Sequence, residues 1–472
     1  MKNIIYKSIL FLFVAGMFTS CQDELDQVPF DSFGTQFAFT TAADFENAIR
    51  GVYSGLNRGS YYGGTYLANP DVLSDNVTFS QSGRGTKRAT HNWTYVAADN
   101  FGHYADGYTV IYRANQVLSF IDDFEGSNKA NITGEALALR ALAHFDIVRF
   151  YGKIPTQAGD ANGSLGIVYR TEPDPTAQDP RLTVAEVYQN IVADLEAART
   201  MISTSNDPGR MNRDAVNLIL SRAYLYMGEW QNAADAAARV TEPVAARSSV
   251  VGVWEDANQD GLIFYIPNTT QVLNNNIGVQ WSQGPVTQLI AEYVASYELD
   301  QLYVADNDIR KEAYIVDATS TLGNPINAIK KLLGRGNFNG LVDIKILRAA
   351  EARLNRAEAL NNLGQDGPAL VALNEVRSNR YMTQPSDGEA GGALTAAIRL
   401  ERRLEFAFEY QRWFDIKRYG DPVTRANFGD QEGGAGTPSD ALTLEAGNFR
   451  FQLPIAQSSI IVNPNLQQNP GY

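Results

Sequence analysis

The sequence predicts a mainly α-helical fold made of helix pairs, with a loop-rich side that carries a few short strands. Three observations predict it. The first is the stretch Leu394 to Gly420, the longest uninterrupted helical pattern in the chain, with no Pro and no internal Gly. Its apolar residues Leu394, Ala397, Ile398, Leu404, Phe408 and Ile416 recur near a 3.6 period, which marks one buried stripe. The second is a pair of similar helix–Gly–helix segments, Arg210–Glu242 and the run around Ala359–Ala369. The third is punctuation. Thr41 stands where it can cap the helix that follows, and Thr183 with Glu186 forms a capping box.

The long stretch holds Glu401, Arg402, Arg403, Glu405, Glu409, Arg412, Asp415, Lys417 and Arg418. At about 1.5 Å per residue one helix of this length would run roughly 40 Å. Gly420 supplies the stop, with Pro422 beyond it. Paired Glu and Arg on one helix face suit acid–base chemistry. The favoured reading is a scaffold helix whose charges are solvated or paired with its neighbours and with the closing segment of the chain.

In the first helix pair, Ala223, Tyr224, Leu225, Tyr226, Met227, Gly228, Trp230 and Ala233 follow the tetratricopeptide pattern. Small and aromatic residues lie on one helix, Gly at the turn, and Ala where the second helix packs close. Ala359, Leu360, Leu363, Gly364 and Ala369 repeat it. Two copies separated by a long insertion are embedded pairs, not a regular array. Other helices are expected over Thr41–Leu56, Asp106–Phe124, Glu135–Tyr151 and Val184–Ile202.

Residues 57–100 and 250–339 are the variable insertions. The first carries five glycines with Tyr61, Tyr62, Tyr66, Trp93 and Tyr95 among polar residues. The second holds a strand-like run, Gly261 to Pro267, and a second aromatic cluster, Trp281, Tyr293, Tyr297 and Tyr303. Asp256, Asn258 and Asp260 match the opening of a calcium loop, but Pro267 stands where its closing Glu belongs, so a plain turn competes. No other cofactor is expected. With three histidines, His91, His103 and His144, a His-built metal centre or a Ser-His-Asp triad is hard to assemble. A net charge of −14 argues against nucleic acid.

The N-terminus is expected to be a leader over residues 1–20. Lys2 and Lys7 precede an apolar run, Ile9 to Phe18, too short to span a bilayer. The run ends at Thr19, Ser20 and the single cysteine, Cys21. This resembles the bacterial lipobox, with Phe18 in place of the usual Leu, and implies lipid attachment at Cys21. The acidic residues Asp23, Glu24 and Asp26 resemble the surface-export signal of Bacteroidetes lipoproteins. Residues 21–40 then form a tether, and 41–472 a single domain.

The end segment LPIAQSSIIVNPNLQQNPGY, Leu453 to Tyr472, resembles the closing motif of SusD/RagB outer-membrane lipoproteins. Ala456 replaces the usual Pro, and Ser458 and Ser459 stand where Glu is common. The blocks ERRLEFAFEYQRWFDIKRYG and ALRALAHFDIVRFYGKIP resemble the two helical blocks of the same family. The resemblance covers essentially the whole chain. It implies a right-handed superhelix of tetratricopeptide-like pairs that contacts a SusC-like TonB-dependent barrel. It also implies a variable side that binds an oligosaccharide, with peptide cargo in some relatives, and no enzymatic activity.

Sugar binding needs flat apolar faces for ring CH groups and planar polar groups for hydroxyls. Those residue types coincide at Asp75, Arg84, Arg88, Trp93 and Tyr95, joined by Trp281 from the central insertion. These six are the expected ligand contacts. A secreted glycoside hydrolase is the alternative, and it needs two carboxylates facing across a cleft. A repeat adaptor that binds only proteins is a third reading.

Overall fold

The computed structural model describes residues 38–99, 101–270, 277–304, 307–335, 338–385 and 388–472. The expected leader, Cys21 and nearly all of the tether lie outside them. Helix α1, Ala42–Leu56, starts where the sequence says it should. The Thr41 side chain accepts the Asp44 N–H, and the Asp44 carboxylate accepts the Thr41 N–H in return. Phe45, Ile49, Val52 and Leu56 form its buried face.

The first insertion is more ordered than its glycines suggest. It contains helix α2, Thr65–Leu73, and strand β1, Val77–Phe79. Helices α3, His103–Ser119, and α4, Lys129–Tyr151, follow. From Gly134 onward α4 is buried on nearly every side, which makes it the central helix of the core. Helix α5, Val184–Met201, carries the Thr183–Glu186 capping box. Helices α6, Arg213–Met227, and α7, Trp230–Ala238, form the first predicted pair, turning at Gly228 with φ 75°.

Helices α8, Ala349–Asn362, and α9, Asp366–Arg377, form the second pair, with Gly364 at φ 72°. In both pairs the buried alanines, Ala233 and Ala236 or Ala369 and Ala372, let the second helix approach. The helices stack in sequence order: α1 on α3, α3 on α4, α4 on α5, α5 on α6, α7 on α8.

The central insertion supplies strand β2, Leu262–Ile266, as expected from GLIFYIP, and strand β3, Tyr293–Ala295. It also holds strands β4, Ile315–Thr319, and β5, Pro325–Ile329; strand β6, Ile344–Arg348, leads into α8. Each of the five sheets among the described residues is a two-stranded antiparallel ribbon; three of them pair β1 with β3, β2 with β6 and β4 with β5. The β1–β3 ribbon, Val77 opposite Ala295 and Phe79 opposite Tyr293, ties the two insertions into one loop-rich side.

The long stretch is not one helix. Helix α10, Gly391–Glu405, stops, and helix α11, Arg412–Tyr419, starts after six non-helical residues. Phe408 and Tyr410 sit at φ 65° and 59°, a region that costs a bulky residue about 1–3 kcal/mol. Tertiary contacts hold them there. The Phe408 and Tyr410 N–H groups donate to the two carboxylate oxygens of Asp71 on α2, at 3.1 and 3.2 Å, and the Tyr410 hydroxyl donates to the Ile346 carbonyl. Asp71 is fully buried. Burial pushes its carboxyl up to about 6, against the pull of its hydrogen bonds from Asn76, Phe408 and Tyr410.

The charges of this stretch are spent on scaffold. Glu405 accepts from Arg380 and Arg348, each at 2.8 Å, and lies 3.4 Å from Arg310. Glu401 accepts from Arg310, and Glu409 from Lys331 and Arg348, each at 2.6 Å. Asp415 joins Arg402 to Arg418, and Arg418 reaches Glu358 on α8. Their partners lie in the two insertions and in and around the second helix pair.

That segment is held from elsewhere. Arg181 donates to the Asn469 side chain at 2.8 Å and to the Gln467 carbonyl at 2.9 Å. Asn469 donates to the Tyr151 and Leu453 carbonyls, and Asn463 to the Asp179 carbonyl. Each of these asparagines ties down backbone, which is why the tail is ordered around one short helix, α12, Gln457–Val462. No helix among the described residues is long and apolar enough to cross a membrane.

Candidate functional site

The structure spends four of the six expected ligand residues on packing. Trp281 is 1% exposed and packs edge-on to Tyr293 and Phe408. Trp93 is buried, its Nε1 donates to the Leu73 carbonyl at 3.0 Å, and the Arg425 guanidinium covers its ring at 4.0 Å. Tyr95 is buried against Phe101, with its hydroxyl on the Arg450 carbonyl. None of these three rings offers an open face for a sugar to stack on. The reason is general: an aromatic ring gains more from full burial than a polar loop can give it.

Asp75 is also buried. Burial opposes its ionisation, yet the Arg412 and Arg403 guanidiniums hold its carboxyl well below the usual range. Arg412 grips both carboxylate oxygens, at 2.7 and 2.8 Å, so Asp75 pins the link between α2 and β1 onto α11. His91, beyond β1 at the end of the short helix Arg88–His91, is fully buried and kept neutral by burial and by Arg425.

Arg84 and Arg88 do reach the surface, each about half exposed. Arg84 Nε donates to Glu292 at 2.7 Å, and Arg88 to Asp440 at 2.9 Å. The Arg88 guanidinium also lies 4.3 Å over the Phe79 ring.

The calcium-loop residues do not assemble a site. The Asp256 carboxylate is taken by Arg335 and Lys345, and Asn258 caps the Asp260 N–H. Two cations on one carboxylate leave no negative charge to offer a third. No cluster among the described residues has the makings of a metal site.

What the loop-rich side presents is a different aromatic pair. Tyr297 and Phe428 meet edge to face at 4.9 Å, Tyr297 half-buried and Phe428 42% exposed. They border a small cleft with Thr78, Glu298 and Arg425. The loop carrying Phe428 is fixed against the first insertion: Asp430 accepts the Gln81 N–H at 2.9 Å, and Ser439 bonds His91 at 3.0 Å. Phe428 lies in NFGDQEGGAG, where the surrounding Gly and polar residues give it nothing apolar to pack under. An aromatic so placed is the signal that reading by aromatic clusters passes over.

A polar pocket of about 320 Å³ opens between α2 and the residues that follow β1, with Asn69, Lys87 and Thr90 in its wall. A separate groove of about 560 Å³ runs on the helical side, between α3 and the chain end. Tyr104, Tyr108 and Tyr112 line it one turn apart, with Arg170, Val462 and Leu466 opposite. At its edge Ile461 and Val462 are largely exposed, which is unusual for α12's size.

Comparison with known proteins places this architecture. The family model described as "SusD family" matches residues 327–472, and a second, described as "Starch-binding associating with outer membrane", matches residues 28–225. The chain belongs to the SusD/RagB family. A crystal structure of a SusD superfamily protein from Bacteroides thetaiotaomicron superposes with a TM-score of 0.79 at 26% identity, covering 91% of this chain and all of that one. A SusD-like protein of Formosa agariphila is 25% identical over 521 aligned residues, 98% of this chain and 99% of its own. The starch-binding protein SusD of B. thetaiotaomicron is 32% identical over 130 residues, 28% of this chain and 22% of its own.

Proposed function

We propose that this protein captures oligosaccharides on its loop-rich side, as a lipoprotein anchored at Cys21, and passes them to a SusC-like TonB-dependent transporter. The observation that carries the reading is the partly exposed Tyr297–Phe428 pair on the polar side of a SusD-type scaffold. Two rings meeting at an angle make a shallow concave platform. The CH faces of a sugar stack on it, while Glu298 in the same cleft accepts from hydroxyls. The starch-binding relative and the two matched family descriptions support a glycan as cargo.

The chemistry of the face favours binding over hydrolysis. A glycosidase needs an acid and a base across an open cleft. Here Glu292 is buried on Arg84, and Glu298 is paired with Arg403 at 2.9 Å. The deciding experiment titrates purified protein, lacking its leader, against a glycan panel and a peptide library, with mass spectrometry of the products. Saturable glycan binding without cleavage is the expected result. Turnover would make it an enzyme, and peptide-only binding would replace the cargo. Co-purification with a SusC-like transporter tests the delivery step, and its failure would leave capture without delivery.

A further inference from the structure

The polar pocket of the first insertion has an unmet chemical need. Lys87, Asn69, Ser60, Thr65, Thr86 and Thr90 line it. Lys87 makes no ion pair among the described residues. Its Nζ donates to the Asn69 side-chain oxygen at 3.3 Å, a long and neutral partner for an ammonium group. Asn69 is 1% exposed, and its Nδ2 has no hydrogen-bond partner although it is buried in the same wall. A buried donor left unsatisfied costs about 1–3 kcal/mol, a cost that an acceptor entering the pocket removes.

The remaining polar groups fit the same picture. Four hydroxyls ring the cation and the orphan amide. The pocket's carboxylate, Asp99, is committed to the Val96 N–H at 2.7 Å. Glu292 attracts Lys87 only from a distance and is already gripped by Arg84. Burial pushes the Lys87 ammonium down to about 8, the mark of a cation short of counter-charge. Arg84, Lys87 and Arg88 concentrate three cations within five residues of a chain whose net charge is −14.

We infer that this pocket binds an anionic group of the captured glycan, a uronate carboxylate or a sulfate ester, through the Lys87 ammonium, the free Asn69 amide and the surrounding hydroxyls. The inference rests on the glycan reading for the molecule that carries the anion. A carboxylate or sulfate supplies acceptors for both unmet donors at once, and charge-assisted bonds are the strong ones. A neutral sugar would leave the ammonium without its counter-charge.

The test is isothermal titration of four probes: oligogalacturonate, a sulfated carrageenan oligosaccharide, its desulfated counterpart, and inorganic sulfate. Wild-type protein should bind at least one acidic oligosaccharide tenfold or more tightly than the desulfated one. Lys87→Met and Asn69→Asp should each remove that preference, with unchanged circular-dichroism melts showing that they fold. The acidic probe that binds identifies the source of the anion. Equal affinity for acidic and neutral probes, or a preference that survives both substitutions, overturns the inference. Binding of neutral glycans alone overturns it while leaving glycan capture standing. Lys87-dependent binding of sulfate with no oligosaccharide bound would keep the pocket and overturn glycan capture.

Discussion

Glu405 is the carboxylate on which the scaffold turns, and Glu405→Ala is its most informative perturbation. The side chain is fully buried and faces three guanidiniums: Arg380 and Arg348 at 2.8 Å, Arg310 at 3.4 Å. Burial works against its charge, and those arginines, Arg380 first, hold its carboxyl far below the usual range. After substitution Arg310 keeps Asp308 and Glu401, and Arg348 keeps Glu409. Arg380 keeps only the Ala245 and Asn379 carbonyls among the described residues. The loss is therefore one buried charge left without its counter-ion, which costs about 3–5 kcal/mol. Glu405→Gln keeps the shape and one acceptor, and should cost less. Arg88→Ala, which breaks a pair exposed on both sides, should cost no more than about 1 kcal/mol. Urea unfolding of the three variants measures the order directly. A Glu405→Ala cost below about 1 kcal/mol, or equal to that of Arg88→Ala, would refute the claim that this network holds α10 to the central insertion.

Other expectations follow from the same geometry. Asp71 has a folded value of about 6 against 3.8 for the free carboxyl, so it binds a proton more tightly when folded. Its contribution is full below pH 3.8 and is lost as pH rises through 6, a swing of about 3 kcal/mol at about 1.4 kcal/mol per pH unit. The stability of wild type minus that of Asp71→Asn should therefore grow as pH falls from 7 to 4, and a flat difference would contradict it. Trp93→Ala should destabilise by about 3–5 kcal/mol, since it empties a core position under Arg425. A variant of wild-type stability with weakened glycan binding would return Trp93 to the ligand. Cys21→Ala should move the protein from the membrane fraction to the soluble one, and unchanged fractionation would remove the lipid anchor.

The helices were legible because their signals are local. Capping boxes at Thr41 and Thr183, glycines at 228 and 364, and alanines at the close approaches all act within a few residues. The break at Phe408 and Tyr410 was not legible, because its cause is Asp71, more than three hundred residues away in sequence. The burial of the expected aromatics was not legible for a related reason. Aromatic richness marks both cores and binding faces. Only the fold shows that Arg425 lies over Trp93, whereas Phe428, in a loop of glycines, stays open. Arg84 and Arg88 stay about half exposed, whereas Arg310 and Arg380 are buried on carboxylates that lie far off in sequence or across the fold.

The central claim is that the Tyr297–Phe428 platform holds a glycan. The direct measurement is the affinity of Tyr297→Ala and Phe428→Ala for whichever oligosaccharide the wild-type protein binds, taken beside their unfolding curves. Each should weaken binding by about 1–3 kcal/mol, roughly five- to more than a hundredfold, as expected for a contact aromatic, with little loss of stability for the exposed Phe428. Unchanged affinity in both variants, with the fold intact, would contradict the account.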